Sequence, residues 1–242
     1  MPATLDAGDL IVAFVWSPLN ITNPSGWTAL HNSTFRMRGG CFAKISDGTE
    51  DGGTVDFVTE SGKVLGAHVF RVTGWLNTTI AAGAQISTAN GDSGTPDPAS
   101  LTPTGGNKQY LWFAVACHNN PAAATDGPDG FSAVISSTIS GGGNGSLSLH
   151  TCRLAEAASS KDPTSFTVPT GGANAWNVNT VAIYPPLSGG GGGFGGQGGG
   201  GGKPPKGGGG GGGGPGSGGP PGQLKRGIIG QRRGRRRGLV QI

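Results

Sequence analysis

Gly91-Asp92-Ser93-Gly94 has the look of a nucleophile loop. An activated serine needs a histidine base held by a buried carboxylate. The chain carries four histidines, His31, His68, His118 and His150, and none stands in a histidine-loop segment. Thr95 also follows where such a loop continues with glycine. The four residues lie in a polar stretch and read as a turn. The histidines do not cluster at ligand spacing, so a metal site is not expected. His68 and His150 fall inside strand-like segments and read as structural. Glu50/Asp51 and Asp126/Asp129 could be glycosidase pairs, but both sit in turn clusters and read as solvated loop charge. No phosphate-binding loop exists despite the glycine content, because Lys203 is followed by Pro204. Cys41, Cys117 and Cys152 form neither a disulfide framework nor a CxxC metal motif. The expectation is a non-enzymatic protein without metal or cofactor.

Residues suited to binding are concentrated at the C-terminus. Lys225, Arg226, Arg232, Arg233, Arg235, Arg236 and Arg237 alternate with the apolar Ile228, Ile229, Leu239, Val240 and Ile242. Arginine offers forked hydrogen bonds to carboxylates, and the apolar residues offer anchors. This combination fits a docking arm for an acidic protein surface. A solvated charged end would not need the anchors. A nucleic-acid arm would use the arginines on phosphates, but aromatic residues to stack on single-stranded bases are missing. Among the five tryptophans, Trp16, Trp112 and Trp176 lie in strand-like segments and read as core. Trp27 and Phe131 follow turns and read as plugs at one end of the body. Trp75, just after Thr73-Gly74, is the candidate exposed, ligand-facing aromatic for a host-surface glycan. Receptor-facing loops would be 17–26, 118–130 and 139–146.

Composition separates the arm from what it must be attached to. From residue 189 onward, 28 of 54 residues are glycine. Residues 1–188 hold 8 Lys+Arg and 13 Asp+Glu, a net of −5, whereas the remainder holds 9 basic and no acidic residues, a net of +9. The overall +4 therefore describes neither part, and it does not mark the whole chain as a nucleic-acid binder. Three parts follow: a domain over 1–188, a Gly/Pro-rich segment over 189–222 and a basic-apolar arm over 223–242. The glycine-rich segment reads as a linker, or as extended chains that pack side by side once a partner orders them. No apolar run approaches the 18 residues of a membrane-spanning helix. Residues 1–6 lack a basic stretch before an apolar core. The chain is thus read as made in a reducing cytosol, reaching the outside through assembly and lysis.

Residues 1–188 read as all-β. Strand-like segments at 9–16, 35–45, 54–58 and 64–72 are separated by turn clusters such as Asp47-Gly48 and Ser61-Gly62. Gly39-Gly40 could mark a bulge. No helix-period segment exceeds ten residues, and 155–160 could form one turn at most. The second half echoes the first. Residues 109–116 echo 9–16, 147–155 echo 35–44 with Cys152 at the place of Cys41, 162–168 echo 53–58, and 176–184 echo 65–72. Each half supplies four or five strands and cannot cover its own apolar face. One antiparallel, jelly-roll-like two-sheet β-sandwich built from both halves (5–75 and 105–186) meets that need. Residues 76–104 would cross between them, with a short strand near 83–87.

The segments Ala7-Gly8-Asp9-Leu10-Ile11-Val12-Ala13-Phe14, Pro24-Ser25-Gly26-Trp27-Thr28-Ala29-Leu30, Phe42-Ala43-Lys44-Ile45-Ser46-Asp47-Gly48-Thr49-Glu50 and Arg71-Val72-Thr73-Gly74 resemble a β-sandwich module of phage minor tail and tail-fibre proteins. Residues 110–116 and 176–186 resemble its later strands, so the resemblance spans roughly 5–186. It implies a virion structural protein, most simply a minor tail or tail-tip component involved in host attachment. Its partners would be other virion proteins and further copies of itself. A capsid decoration protein gripping the shell with the basic arm, and a carbohydrate-binding module, are the alternatives. The module usually has a further strand before the first segment. Eight residues precede Asp9 here, so another chain would supply that strand or the edge would stay open.

Overall fold

The computed structural model describes residues 1–59, 63–76, 78–92, 94–132, 134–140, 145–169 and 175–186, together with the backbone of Gly238–Val240. The strands are β1 (Leu10–Ser17), β2 (Ile21–Thr22), β3 (Thr28–Asn32), β4 (Arg38–Ile45), β5 (Val55–Thr59), β6 (Gly66–Val72), β7 (Ala84–Gly91), β8 (Lys108–His118), β9 (Ile135–Ser140), β10 (Ser146–Ala158), β11 (Trp176–Ile183) and β12 (Gly238–Val240). One helical turn, α1 (Ile80–Gly83), is capped by Thr79, whose side chain accepts from the Ala82 N–H. The chain is all-β, and the strand pairs are antiparallel.

The described residues form three sheets. Their orders are β3-β4-β1-β6, β7-β11-β8-β10-β9 and β12-β5-β2. All strands of the first lie within residues 10–72, and all strands of the second within 84–183. β1 and β8 are central strands, which is why their sequences are nearly continuous apolar runs instead of alternating ones. Every residue of β1 is buried. Its side chains divide by parity. Leu10, Val12, Phe14 and Trp16 join Phe113, Val115 and Cys117 of β8 in the cluster between the two large sheets. Phe113 is the meeting point, with ring centroids 5.3 Å from Phe14 and 5.1 Å from Phe70.

The other face of each large sheet has a cover of its own. Ile11, Ala13 and Val15 pack with Phe42, Trp27 and Phe57. Ala114 and Ala116 pack with Cys152, Trp176 and Phe166. The body is therefore layered more deeply than two bare sheets, and β5 belongs to the outer cover of the first.

Polar groups also bind the large sheets together. His68 on β6 reaches Thr151 Oγ1 at 2.9 Å and Ser137 Oγ at 3.0 Å. Asn177 Nδ2 donates to Ser33 Oγ at 2.8 Å. The His68 ring and Asn177 Nδ2 tolerate burial because each finds a partner, whereas the buried Asn177 Oδ1 has none among the described residues.

Several local expectations are corrected. Gly39 and Gly40 hold regular register against Trp16 and Val15. The irregularity lies instead in β3, between Ala29 and His31. The two glycines leave room for rings: a Cβ on Gly39 would lie 2.3 Å from Trp16 Nε1, and one on Gly40 2.2 Å from Phe42. Residues 155–158 continue β10 and form no helical turn. Residues 162–168 hold one isolated bridge, at Thr167, where the sequence predicts a strand. Cys41 and Cys152 are not equivalent, since Cys41 faces the inter-sheet cluster and Cys152 the outer one. A comparison by sequence that slips by one residue exchanges the two faces of a strand.

Candidate strand-docking edge

β5 is the strand on which the N-terminus, the turn before β3 and the C-terminal strand converge. Its sequence alternates, so Val55 and Phe57 turn inward while Asp56 and Val58 face outward. Phe57 is fully buried, with centroids 5.6 Å from Trp27 and 5.5 Å from Phe42. Val58 is 40% exposed, unusual for a large apolar side chain among the described residues. One edge of β5 pairs with β2, at Thr59↔Ile21 and Val58↔Thr22. The other pairs with β12, at Phe57↔Gly238, Asp56↔Leu239 and Val55↔Val240. Further along that edge, the Met1 ammonium donates to the Gly53 carbonyl at 2.8 Å, and the Gly52 N–H donates to Pro2 at 3.1 Å.

A recess of about 620 Å³ opens beside this strand, lined among others by Met1, Trp27, Lys44, Glu50, Asp56 and Val58. Its rim combines apolar surface with carboxylates. Lys44 Nζ lies 2.7 Å from Glu50 Oε1, and Ser46 Oγ donates to Glu50 Oε2 at 2.7 Å. Burial opposes ionisation of Glu50, but these donors outweigh it and hold its carboxyl below the usual range. The acid at the rim is therefore charged at neutral pH.

A second buried phenylalanine has comparable surroundings. Phe166 is fully buried against the outer face of its sheet. On one side of its segment, Thr167 bridges Asp126. On the other, the Phe166 N–H donates to the Pro96 carbonyl at 2.9 Å, while Leu101 and Lys161 exchange two backbone hydrogen bonds of 2.8 and 2.9 Å. The segment 96–101 thus runs antiparallel to 161–166, as Gly238–Val240 runs antiparallel to β5. Pro96 stands at Phe166 where Gly238 stands at Phe57.

The predicted site residues are distributed as follows. Trp75 is corrected: it is 4% exposed, its Nε1 donates to the Gly8 carbonyl at 2.8 Å, and it packs on Gly83. Its ring is no platform for a sugar. Leu239 and Val240 lie in β12. Lys225, Arg226, Ile228, Ile229, Arg232, Arg233, Arg235, Arg236, Arg237 and Ile242 lie outside the described residues, as does the glycine-rich segment. In Gly91-Asp92-Ser93-Gly94, Gly91 ends β7 against the Trp176 ring, Asp92 meets Arg36 at 3.5 Å, and Ser93 lies outside the described residues. Among the described residues, no group of three or more His, Cys, Asp or Glu could hold a metal, and no helix is long and apolar enough to cross a membrane.

Sequence reading missed the His118–His150 pair. The two Nε2 atoms are 2.9 Å apart, and both rings are buried beneath the loop after β8. Burial pulls His118 down to about 4 and His150 to about 3, with the neighbouring histidines adding to the second. His68 is held at about 3 by burial. All three are neutral at physiological pH and act as hydrogen-bonding parts of the core. Their separation in sequence, with no short motif, left no signal to find them by.

Compared with protein-family models, with curated proteins and with solved structures, the chain gives no match in any of the three.

Proposed function

We propose that this chain is a non-enzymatic phage virion component, most simply at the minor tail or tail tip. It would present a two-half β-sandwich and be held in the particle by its C-terminal arm. The observation that carries this reading is the placement of Gly238–Val240 as a strand on β5. An arm that is basic and apolar by sequence ends in backbone pairing with a body of net −5, near Glu50 and Asp56. Backbone pairing at an exposed edge is a recognised way of joining extended segments to folded domains.

The two-half organisation rests on strand order. β3-β4-β1-β6 reads in the same sequence as β9-β10-β8-β11, with β7 added at the end of the second sheet. The outer covers also correspond, with Trp27 and Phe57 on one sheet and Phe131 and Phe166 on the other. The resemblance to the tail module leads from this architecture to a virion.

A gold-tagged antibody against residues 1–188, applied to purified particles, tests the reading. Label at the tail tip supports it. Label spread over the head moves the protein to capsid decoration, with the arm as a shell clamp. Particles that display other surface epitopes but take no label overturn both positions.

A further inference from the structure

We propose that the β5 edge is an acceptor slot for strand donation, and that in the assembly it is filled by Gly238–Val240 of a second copy of this chain. The inference rests on the assembled-particle reading above and adds how copies are joined.

The second half shows what the slot needs. There the edge beside Phe166 is closed by 96–101, the stretch that leads directly into β8. In the first half, Met1 and Pro2 lie against Gly53 and Gly52 and match the Leu101–Lys161 end of that ladder. Further along, at Phe57, the partner comes from residue 238 instead. The place filled by local chain in one half is thus filled in the other by a strand far away in sequence. Left open, it would present unpaired backbone groups next to an exposed Val58, and such an edge invites pairing with another chain.

The slot also selects its occupant. The residue opposite the inward ring lacks a long side chain in both halves, Gly238 at Phe57 and Pro96 at Phe166. In the arm, Gly238 is preceded by Arg235-Arg236-Arg237 and followed by Leu239-Val240. Basic residues before an extended apolar stretch complement a rim that carries Glu50 and Asp56.

Chain length allows a second copy to supply the strand. Residues 187–237, 51 in all, lie between the body and β12. At full extension they reach about 170 Å. A body of about 186 residues has a radius of gyration of about 16 Å, so a return to the same body needs only a fraction of that length. The excess lets each strand cross to a neighbour, and exchange of one identical element joins copies without a new fold.

Two full-length variants, each adding one cysteine to the three buried native thiols, test this: Asp56→Cys in one chain and Leu239→Cys in the other, since these positions are cross-strand partners. Opposed strand positions lie within disulfide reach. The variants are mixed, incubated under mild oxidant and run without reductant. The expected result is a mixed disulfide of twice the chain mass, at least tenfold above a control mixing Leu239→Cys with Asp129→Cys on a distant exposed loop. The double variant, carrying Asp56→Cys and Leu239→Cys in one chain, reports internal pairing. If it closes internally and the mixture stays at single-chain mass, the strand serves its own body and donation is overturned. If neither cross-links while tryptophan fluorescence shows folded protein, β5 does not take this strand and the slot itself is overturned. Neither failure bears on particle labelling, which tests the virion reading separately.

Discussion

His118 and His150 meet Nε2 to Nε2 at 2.9 Å beneath the loop that follows β8. The Asn120 N–H donates to His118 Nδ1 at 3.3 Å, and Ser136 Oγ lies 2.9 Å from His150 Nδ1. With both rings neutral, one proton sits between the two Nε2 atoms. The Ala124 N–H also donates to His150 Nδ1, at 3.4 Å. A further proton would charge one ring in a buried site, and a second would place two cations in contact there.

Acid therefore destabilises the fold through these side chains. His68, His118 and His150 titrate near 6.5 when unfolded and at about 3, 4 and 3 when folded. Below about pH 6.5 the unfolded chain binds more protons, so stability falls as pH falls and is constant above that range. Each histidine contributes a slope of about 1.4 kcal/mol per pH unit between its two values. Urea midpoints at pH 7.5 and 5.0 should differ clearly, and less in His150→Gln. Equal midpoints would show that the rings are not buried in neutral form.

Phe113 contacts rings from both strands opposite it, Phe14 and Phe70. Phe113→Ala should cost about 3–5 kcal/mol, the range for emptying a large aromatic site. Equilibrium unfolding in urea measures it. A loss below 1 kcal/mol would mean that the two large sheets do not share a core.

Gly39→Ala and Gly26→Ala separate packing from backbone conformation. A Cβ on Gly39 would meet the Trp16 ring at 2.3 Å, whereas one on Gly26 meets nothing within 4 Å but sits at φ +79°. Overpacking should cost about 2–3 kcal/mol at Gly39, and the left-handed backbone about 1–2 kcal/mol at Gly26. Thermal melts of the two variants rank them, and Gly39→Ala should also shift tryptophan emission. The reverse order would place Trp16 elsewhere.

The three thiols should be inert in the folded protein. Cys41, Cys117 and Cys152 are free and buried, and burial raises all three, Cys152 to about 12. The thiolate is the reactive form. A chromogenic disulfide reagent at pH 8 should label none in native protein and three in denaturant. Rapid native labelling would contradict the packing of β4, β8 and β10.

The all-β class was legible in the sequence, and so were most central strands. Their apolar runs and the turn clusters between them are local signals that solvent exclusion enforces wherever they are placed. The separation of an acidic body from a glycine-rich basic arm is likewise plain arithmetic on residues. β3 and β9 were missed because they lie toward the outside of their sheets, where burial is partial and the pattern weak. Trp75 looked exposed because it follows a turn, yet a carbonyl at Gly8 and the space above Gly83 draw it inward. The faces of Cys41 and Cys152 depend on a register that one residue reverses. Pairings between His118 and His150, Phe166 and Pro96, and β5 and β12 join residues 32, 70 and more than 180 positions apart. No local propensity encodes such contacts. They exist because buried backbone and ring nitrogens must find partners, and only the packed chain determines which partners are within reach.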